Sequence, residues 1–435
     1  MFTYGRLRMS ALGGIIVSLA LLANPLAASA AAGWSPEVVI SPSQPSPAPN
    51  AFVINPAGNE LWVMAPGVVG GYMVEAAQRS FGGAWSPLAT VVSVHTGFLT
   101  TPQSLSASIS ANGSEVAAWV VGGIQISFRS ASGVWQAPVS VSTAGSPSSL
   151  LVKLDAQGNG VAVWSEMTGT ASVVKAVTWN AAGAFGTVVQ LSQPQVGQFA
   201  PDLAVNDAGT AVVVWTAAAP GSTSTQIEST TRPSGGNWGA MTAVSPILPF
   251  TSSARVALDG SGDATVVWQQ GTTYGIYAAT RSAGGAWSNP TEIETSNNVA
   301  VAGQAAVATD SAGNATATWM MRDATTGVTS VRAATRPAGS SWGAPTTLGS
   351  CGSTCVPHIA SASDGSITVV GWAPNGPAAN AAIRLGLGTW VSSTVGSGNA
   401  AVTYVVATNN AGASAVWPVG IHVAYHLALK QSDYR

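Results

Sequence analysis

The stretch Pro201–Ser245, PDLAVNDAGTAVVVWTAAAPGSTSTQIESTTRPSGGNWGAMTAVS, decides the fold. An alternating apolar run (Leu203, Val205) meets a turn that ends at Gly209, and a valine-rich run then closes on Trp215. A looser run follows to Arg232, and a Gly-rich turn leads to Trp238. Units of this kind recur eight times. One aromatic series marks the Gly-rich turns: Trp34, Trp85, Trp135, Phe185, Trp238, Trp287, Trp342 and Trp390. A second closes the valine-rich runs: Trp62, Trp119, Trp164, Trp215, Trp268, Trp319, Trp372 and Trp417. A period of about 50 residues suits four strands and their turns.

Each unit can be read strand by strand. The first strand alternates, as a half-buried strand does. The turn after it (NPAGN, DAQGN, NDAGT, DSAGN) pairs an Asp or Asn that bonds the turn backbone with a Gly that accepts positive φ, which makes a hairpin. The second strand (AVVVW, ATVVW, GVAVW) is apolar almost throughout, as expected when both faces are covered. The third ends in Arg79, Arg129, Arg232, Arg281, Arg336 or Arg384, always just ahead of a turn aromatic. One register beside one ring suggests a repeated cation–π contact rather than an arginine cluster for a ligand. Trp179 takes this place in the unit of Phe185, which suggests that Trp and Arg are interchangeable there. Pro36, Pro87, Pro138, Pro290 and Pro345 mark the fourth strand as an outer edge, because proline cannot donate to a ladder.

The ends complement one another. Gly33–Ser41 (GWSPEVVIS) is a fourth strand with nothing before it, and the chain closes on a first, second and third strand with no fourth after them. The fold expected is therefore an all-β, eight-bladed β-propeller of four-stranded antiparallel blades over residues 31–435, closed by the N-terminal strand as outer strand of the last blade. Tandem sandwiches would not need the permuted ends.

Residues 1–30 read as a secretory signal peptide: Arg6 and Arg8, an apolar run, then Ala28-Ser29-Ala30. The apolar run is shorter than the roughly 20 residues of a membrane span. Secretion or a periplasmic location is expected, with no membrane span left after cleavage. The formal charge of −2 offers no basic excess for nucleic acid. No cofactor is implied, and the chain is expected to be a monomer. Cys351 and Cys355 (CGSTC) are the only cysteines, and in an exported chain they are expected to form a local disulfide. His358 lies near them, but a metal site would need further ligands. His422 and His426 share a strand face, and Glu292 and Glu294 share another. The histidines are expected to be satisfied or surface groups rather than a metal pair, and the glutamates to be solvated rather than a general acid/base pair.

The whole repeat, with segments such as ATRPAGSSWGAP (334–345), resembles secreted bacterial β-propeller repeat proteins, loosely grouped with sialidase-like propellers. Gly158 and Trp164 are too far apart for an Asp box, and no Arg-Ile-Pro segment is present, so no catalytic residue carries over. The resemblance implies the fold and leaves the function open.

Chain direction divides the connections into two rims. The hairpin turns are repetitive, whereas the other connections vary (SVHTGFLTTPQ, SQPQVGQFA, SPILPFTSS, GSCGSTCVPH), and variable loops on a rigid ring suit binding. Aligned on the turn glycines, the first strands put Asp202, Arg255 and His358 at one position where the other units carry small or apolar residues. The plain reading is an Asp202–Arg255 ion pair. The functional one is a pocket of these three with Phe98, Phe199 and Phe250. A non-enzymatic recognition or scaffold protein binding glycan or protein is the favoured function, and a carbohydrate-active hydrolase or lyase is the alternative.

Overall fold

The computed structural model describes residues 38–39 and 50–434, apart from 69, 81–82, 96–100, 143–144, 197–199, 220, 223, 272–274, 295–298, 353–354, 373–377, 398–404, 410–411 and 422–425. Residues 1–30, with the expected signal peptide, lie outside them. Trp34–Arg435 forms one compact unit, distinct from Met1–Gly33. No helix among the described residues is long and apolar enough to cross a membrane.

Among the described residues the chain is all-β, with six four-stranded and two five-stranded antiparallel sheets. Five of them are plain meanders in chain order, as the hairpin turns dictate; the two five-stranded sheets branch at their third long strand, and the last sheet takes its outer strand from the N-terminal end. The fourth sheet, cut from the stretch quoted above, runs Asp202–Val205, Ala211–Ala218, Thr225–Arg232, Thr242–Ala243. The fifth runs Ser252–Leu258, Ala264–Gln270, Gly275–Arg281, Thr291–Glu294. The first strand of each sheet contacts the first strand of the next, and Asn50–Ile54 also contacts Val405–Asn409 at the other end of the chain. In the last sheet Val38–Val39 pairs antiparallel with His426–Tyr434, in the register Val38↔Gln431.

The valine-rich strands bury both faces. Val212 and Val214 pack with Val256, Val266 and Trp268 of the fifth sheet. Ala211, Val213 and Trp215 pack with Val161, Val163 and Val174 of the third. A strand in the middle of a face-to-face stack has no solvent side, so alternation disappears from its sequence. Trp119, Trp164, Trp215, Trp268, Trp319 and Trp372 are among the largest fully buried side chains. Trp62 belongs to that set by burial but not by register. Val63 stands opposite Ala51 as Val214 stands opposite Asp202, so Met64 holds the place of Trp215.

The hairpin turns are built as expected. Asp155 Oδ1 accepts the amides of Gln157 and Asn159, and Gly158 adopts φ 90°. Adjacent turns are also tied to each other: Asn112 N donates to Ala156 O, Ala156 N to Asp207 O, and Ser311 N to Ser363 O.

Several expectations fail. Cys351 and Cys355 are free thiols, buried in an apolar cluster with Leu348 and Trp372. A thiol–thiol hydrogen bond and burial push the Cys355 pKa up. Glu292 is exposed, but Glu294 is buried, accepting from Trp319 Nε1 at 3.1 Å and pairing with Arg332 at 3.1 Å. His426 opens its strand, while His422 lies outside the described residues. Trp179 does not act as a substitute arginine, because its ring occupies the space where a side chain at Gly160 would lie.

Candidate functional site

Asp202, Arg255 and His358 stand at one register of their sheets. Each faces the residue before the buried tryptophan of the neighbouring strand: Val214, Val267 and Gly371. Unit seven has an irregular spacing between turn glycine and tryptophan, but His358 keeps this register. The strands of Leu151, Arg255 and Ala306 carry a bulge that ends at that position. A bulge bends the strand and re-aims the side chains beside it.

Asp202, Arg255 and His358 are half-buried. The Asp202 carboxylate reaches across to the fifth sheet, where Oδ2 accepts from Val256 N at 2.8 Å. Arg255 Nη1 donates to Ala254 O at 3.1 Å. No close Asp202–Arg255 ion pair occurs among the described residues; both groups bond to backbone. Ser106 holds the same register in the second sheet and does the same job as Asp202, accepting from Val152 N at 3.1 Å. Tying one first strand to the next is therefore a role of the position, and Asp202 fills it with a charge.

Electrostatics links these groups and adds one that sequence reasoning missed. Burial pushes the Asp202 carboxyl up, against the opposing pull of Arg255 and Lys153. Burial pulls the Lys153 ammonium down while Asp202 favours its charge. Yet Lys153 is exposed to water. Its signal was present in the sequence, since it follows Leu151 by two residues and so shares its strand face. His358 is pushed down to about 4 by burial and by the Arg255 charge, so its imidazole is neutral at physiological pH. Arg255 therefore acts on both Asp202 and His358, and Lys153 on Asp202.

Phe250 is 61% exposed with φ 55°, on a loop tied down by paired bonds between Thr225 and Leu248 at 3.0 Å. Phe98 and Phe199 lie outside the described residues, so an aromatic wall stands on Phe250 alone. No group of His, Cys, Asp and Glu suited to a metal occurs among the described residues.

Two clefts lie instead on the hairpin-turn rim. One, of about 450 Å³, is lined by Asp155, Trp179, Phe185 and Arg232. The other, of about 390 Å³, holds Glu60, Arg79, Glu115 and Arg129. The charged groups of the second are spent on one another: Arg79 pairs with Glu60 at 2.6 Å, and Glu115 with Arg129 at 2.7 Å. Burial pushes the Glu115 carboxyl up to about 7, against the pull of Arg129.

No family model matches the chain, and no curated protein matches it. Solved structures do. The chain is similar to the WD40 domain of SCAP from fission yeast at 8% identity and a TM-score of 0.51, over 92% of this chain and 98% of that one. It is also similar to an ulvan lyase (10% identity, TM-score 0.47, 74% and 90% covered). The six-bladed fucose-recognising lectin of Aleuria aurantia is a further match (14%, 0.37, 69% and 96%). The first of these likenesses shows a β-propeller fold and does not extend to function.

Proposed function

We propose that this chain is an exported, non-enzymatic recognition protein. In this reading it is an eight-bladed propeller, closed by its N-terminal strand, that binds glycan or protein through the variable-loop rim. The observation that supports it is the electrostatic linkage of Lys153, Asp202, Arg255 and His358, which stand on the first strands of four different sheets. Charges of both signs, with the exposed Phe250 on the loop that leads into the strand of Arg255, suit a sugar hydroxyl array or a peptide terminus.

The test is a glycan array and a peptide library probed with the mature chain. Arg255→Ala and Lys153→Ala should weaken the ligand found at least about tenfold with little change in Tm. Asp202→Ala should weaken it too, while also losing stability through the bond to Val256. Unchanged affinity in the Arg255 and Lys153 variants removes the pocket. Closure is tested separately: a chain starting after Ser41 should lose soluble monomer or melt far lower, and equal melting would refute the ring.

One observation favours a lyase as the second reading. A neutral imidazole acted on by a guanidinium offers a base and a cation for a uronate carboxylate. An unsaturated uronate appearing from an acidic polysaccharide, and lost in His358→Ala, would establish it.

A further inference from the structure

On the hairpin-turn rim, Arg281 holds a position at which several other sheets give their arginine acceptors or a nearby acid, although Nε of Arg336 and of Arg384 is buried without a hydrogen-bond partner too. Arg129 pairs with Glu115 in its own sheet. Arg384 donates to Thr316, Thr335 and Thr368, and the charge of Asp310 acts on it. Arg336 donates to Thr265 at 3.3 Å and feels Asp259 and Asp263. Around Arg281 the counterparts of the acids and of the Thr265, Thr316 and Thr368 hydroxyls cannot serve, and only the counterpart of Thr335 keeps a hydroxyl. Ala264 stands opposite it where Glu115 stands opposite Arg129. Val212 replaces the hydroxyl of Thr265 and Thr316. Asn206 abuts the turn glycine of the fifth sheet where Asp259 and Asp310 abut those of the sixth and seventh, so the counter-charge is missing.

The result is an uncompensated buried cation. Arg281 is 9% exposed, and its Nε and Nη2 are buried without a hydrogen-bond partner. Burial alone acts on its pKa, with no acid offsetting it. The guanidinium lies over Trp287, 4.9 Å from the ring centroid. Trp287 Nε1 in turn donates to Ser229 of the fourth sheet at 2.8 Å. Two residues along the same strand face is Thr231, the counterpart of the Thr335 that serves Arg384. Its Oγ1 is also buried and unpartnered. Arginine does not escape by losing its proton, and a buried charge without a partner is strongly destabilising.

We propose that the interface of the fourth and fifth sheets binds one small monovalent anion, a halide or a carboxylate, held by the Arg281 guanidinium and the Thr231 hydroxyl. The anion supplies from solution the charge that Asp259 and Asp310 supply in the chain. The site lies on the opposite rim from Arg255 and stands independently of that pocket.

The probes are bromide, acetate and glucuronate, each exchanged for gluconate at constant ionic strength. Crystals grown with bromide should show an anomalous peak within hydrogen-bonding distance of the Arg281 guanidinium. Bromide should also raise Tm by about 2–4 °C. Arg281→Gln should abolish both effects, and Asn206→Asp should remove the anion dependence by building the counter-charge in. A response to halide alone identifies an inorganic ion, and a response to acetate and glucuronate identifies a carboxylate site. Equal Tm in all salts with no bromide peak, or a bromide response that survives in Arg281→Gln, overturns the proposal.

Discussion

The two tryptophan series carry the same residue at the same period, yet they do different work. The strand tryptophans from Trp119 to Trp372 are fully buried, and each hands its indole N–H to a different acceptor, whereas the indole N–H of the register-shifted Trp62 is buried without a partner. Trp119 uses Tyr72, Trp164 uses Glu166, Trp215 uses Glu228, Trp268 uses Gln270, and Trp372 uses the carbonyl of Ser350. The turn tryptophans keep a wet edge: Trp85, Trp287 and Trp390 lie beneath Arg79, Arg281 and Arg384 at 4.9–5.2 Å. In the strands the ring is fixed and its acceptor varies. In the turns the ring and its cation are fixed and the counter-charge varies.

Trp215→Ala tests the comparison most severely. Loss of a fully buried ring should cost roughly 3–5 kcal/mol, and it also takes one of two side-chain donors from the Glu228 carboxylate, leaving Gln226. Denaturant unfolding measures it; a loss as small as that of a turn tryptophan would collapse the distinction. Next comes Trp179→Arg, expected to cost roughly 3 kcal/mol because it vacates the ring space over Gly160 and leaves a cation with no acid. Gly160→Glu should rescue it, recreating the Glu115–Arg129 pair, and the double-mutant cycle reads the coupling.

Glu115 gives an intermediate effect. Its carboxyl is raised in the folded state to about 7. Its contribution is therefore fully present below the ordinary carboxyl pKa and lost as pH rises through about 7, a fall of roughly 3 kcal/mol. Glu115→Gln should flatten that part of the stability–pH curve. The smallest effect is expected for Trp287→Ala, about 1–2 kcal/mol for a half-buried ring and its cation–π contact.

Much of this was legible because the information is local. Turn residues three apart fix the hairpins, and period-two alternation fixes the first strands. The loss of alternation at AVVVW marks a strand buried on both faces. What was not legible comes from outside the unit. Nothing near Trp319 announces that Glu294 will accept from its indole, and nothing near Trp179 says that Gly160 makes room for it. Trp62 misled because its spacing from Gly58 is short, which placed a buried ring in a shifted register. At the candidate site, Asp202, Arg255 and His358 emerged by alignment. Lys153 was missed because it sits one strand repeat further along.

The pairing of Val38 with Gln431 bears on how the chain folds. Nearly every other strand pair joins neighbours in the meander, contacts of low sequence separation that form quickly and independently. As the chain is synthesised, each sheet can form and lock its turn onto the one before. The first strand alone has to wait for the last sheet. Until that final pairing, the edge of His426–Tyr434 is open, and an open edge is a template for another copy's strand. Completion of the fold and protection from aggregation are then one event, set by the slowest and most distant contact in the chain.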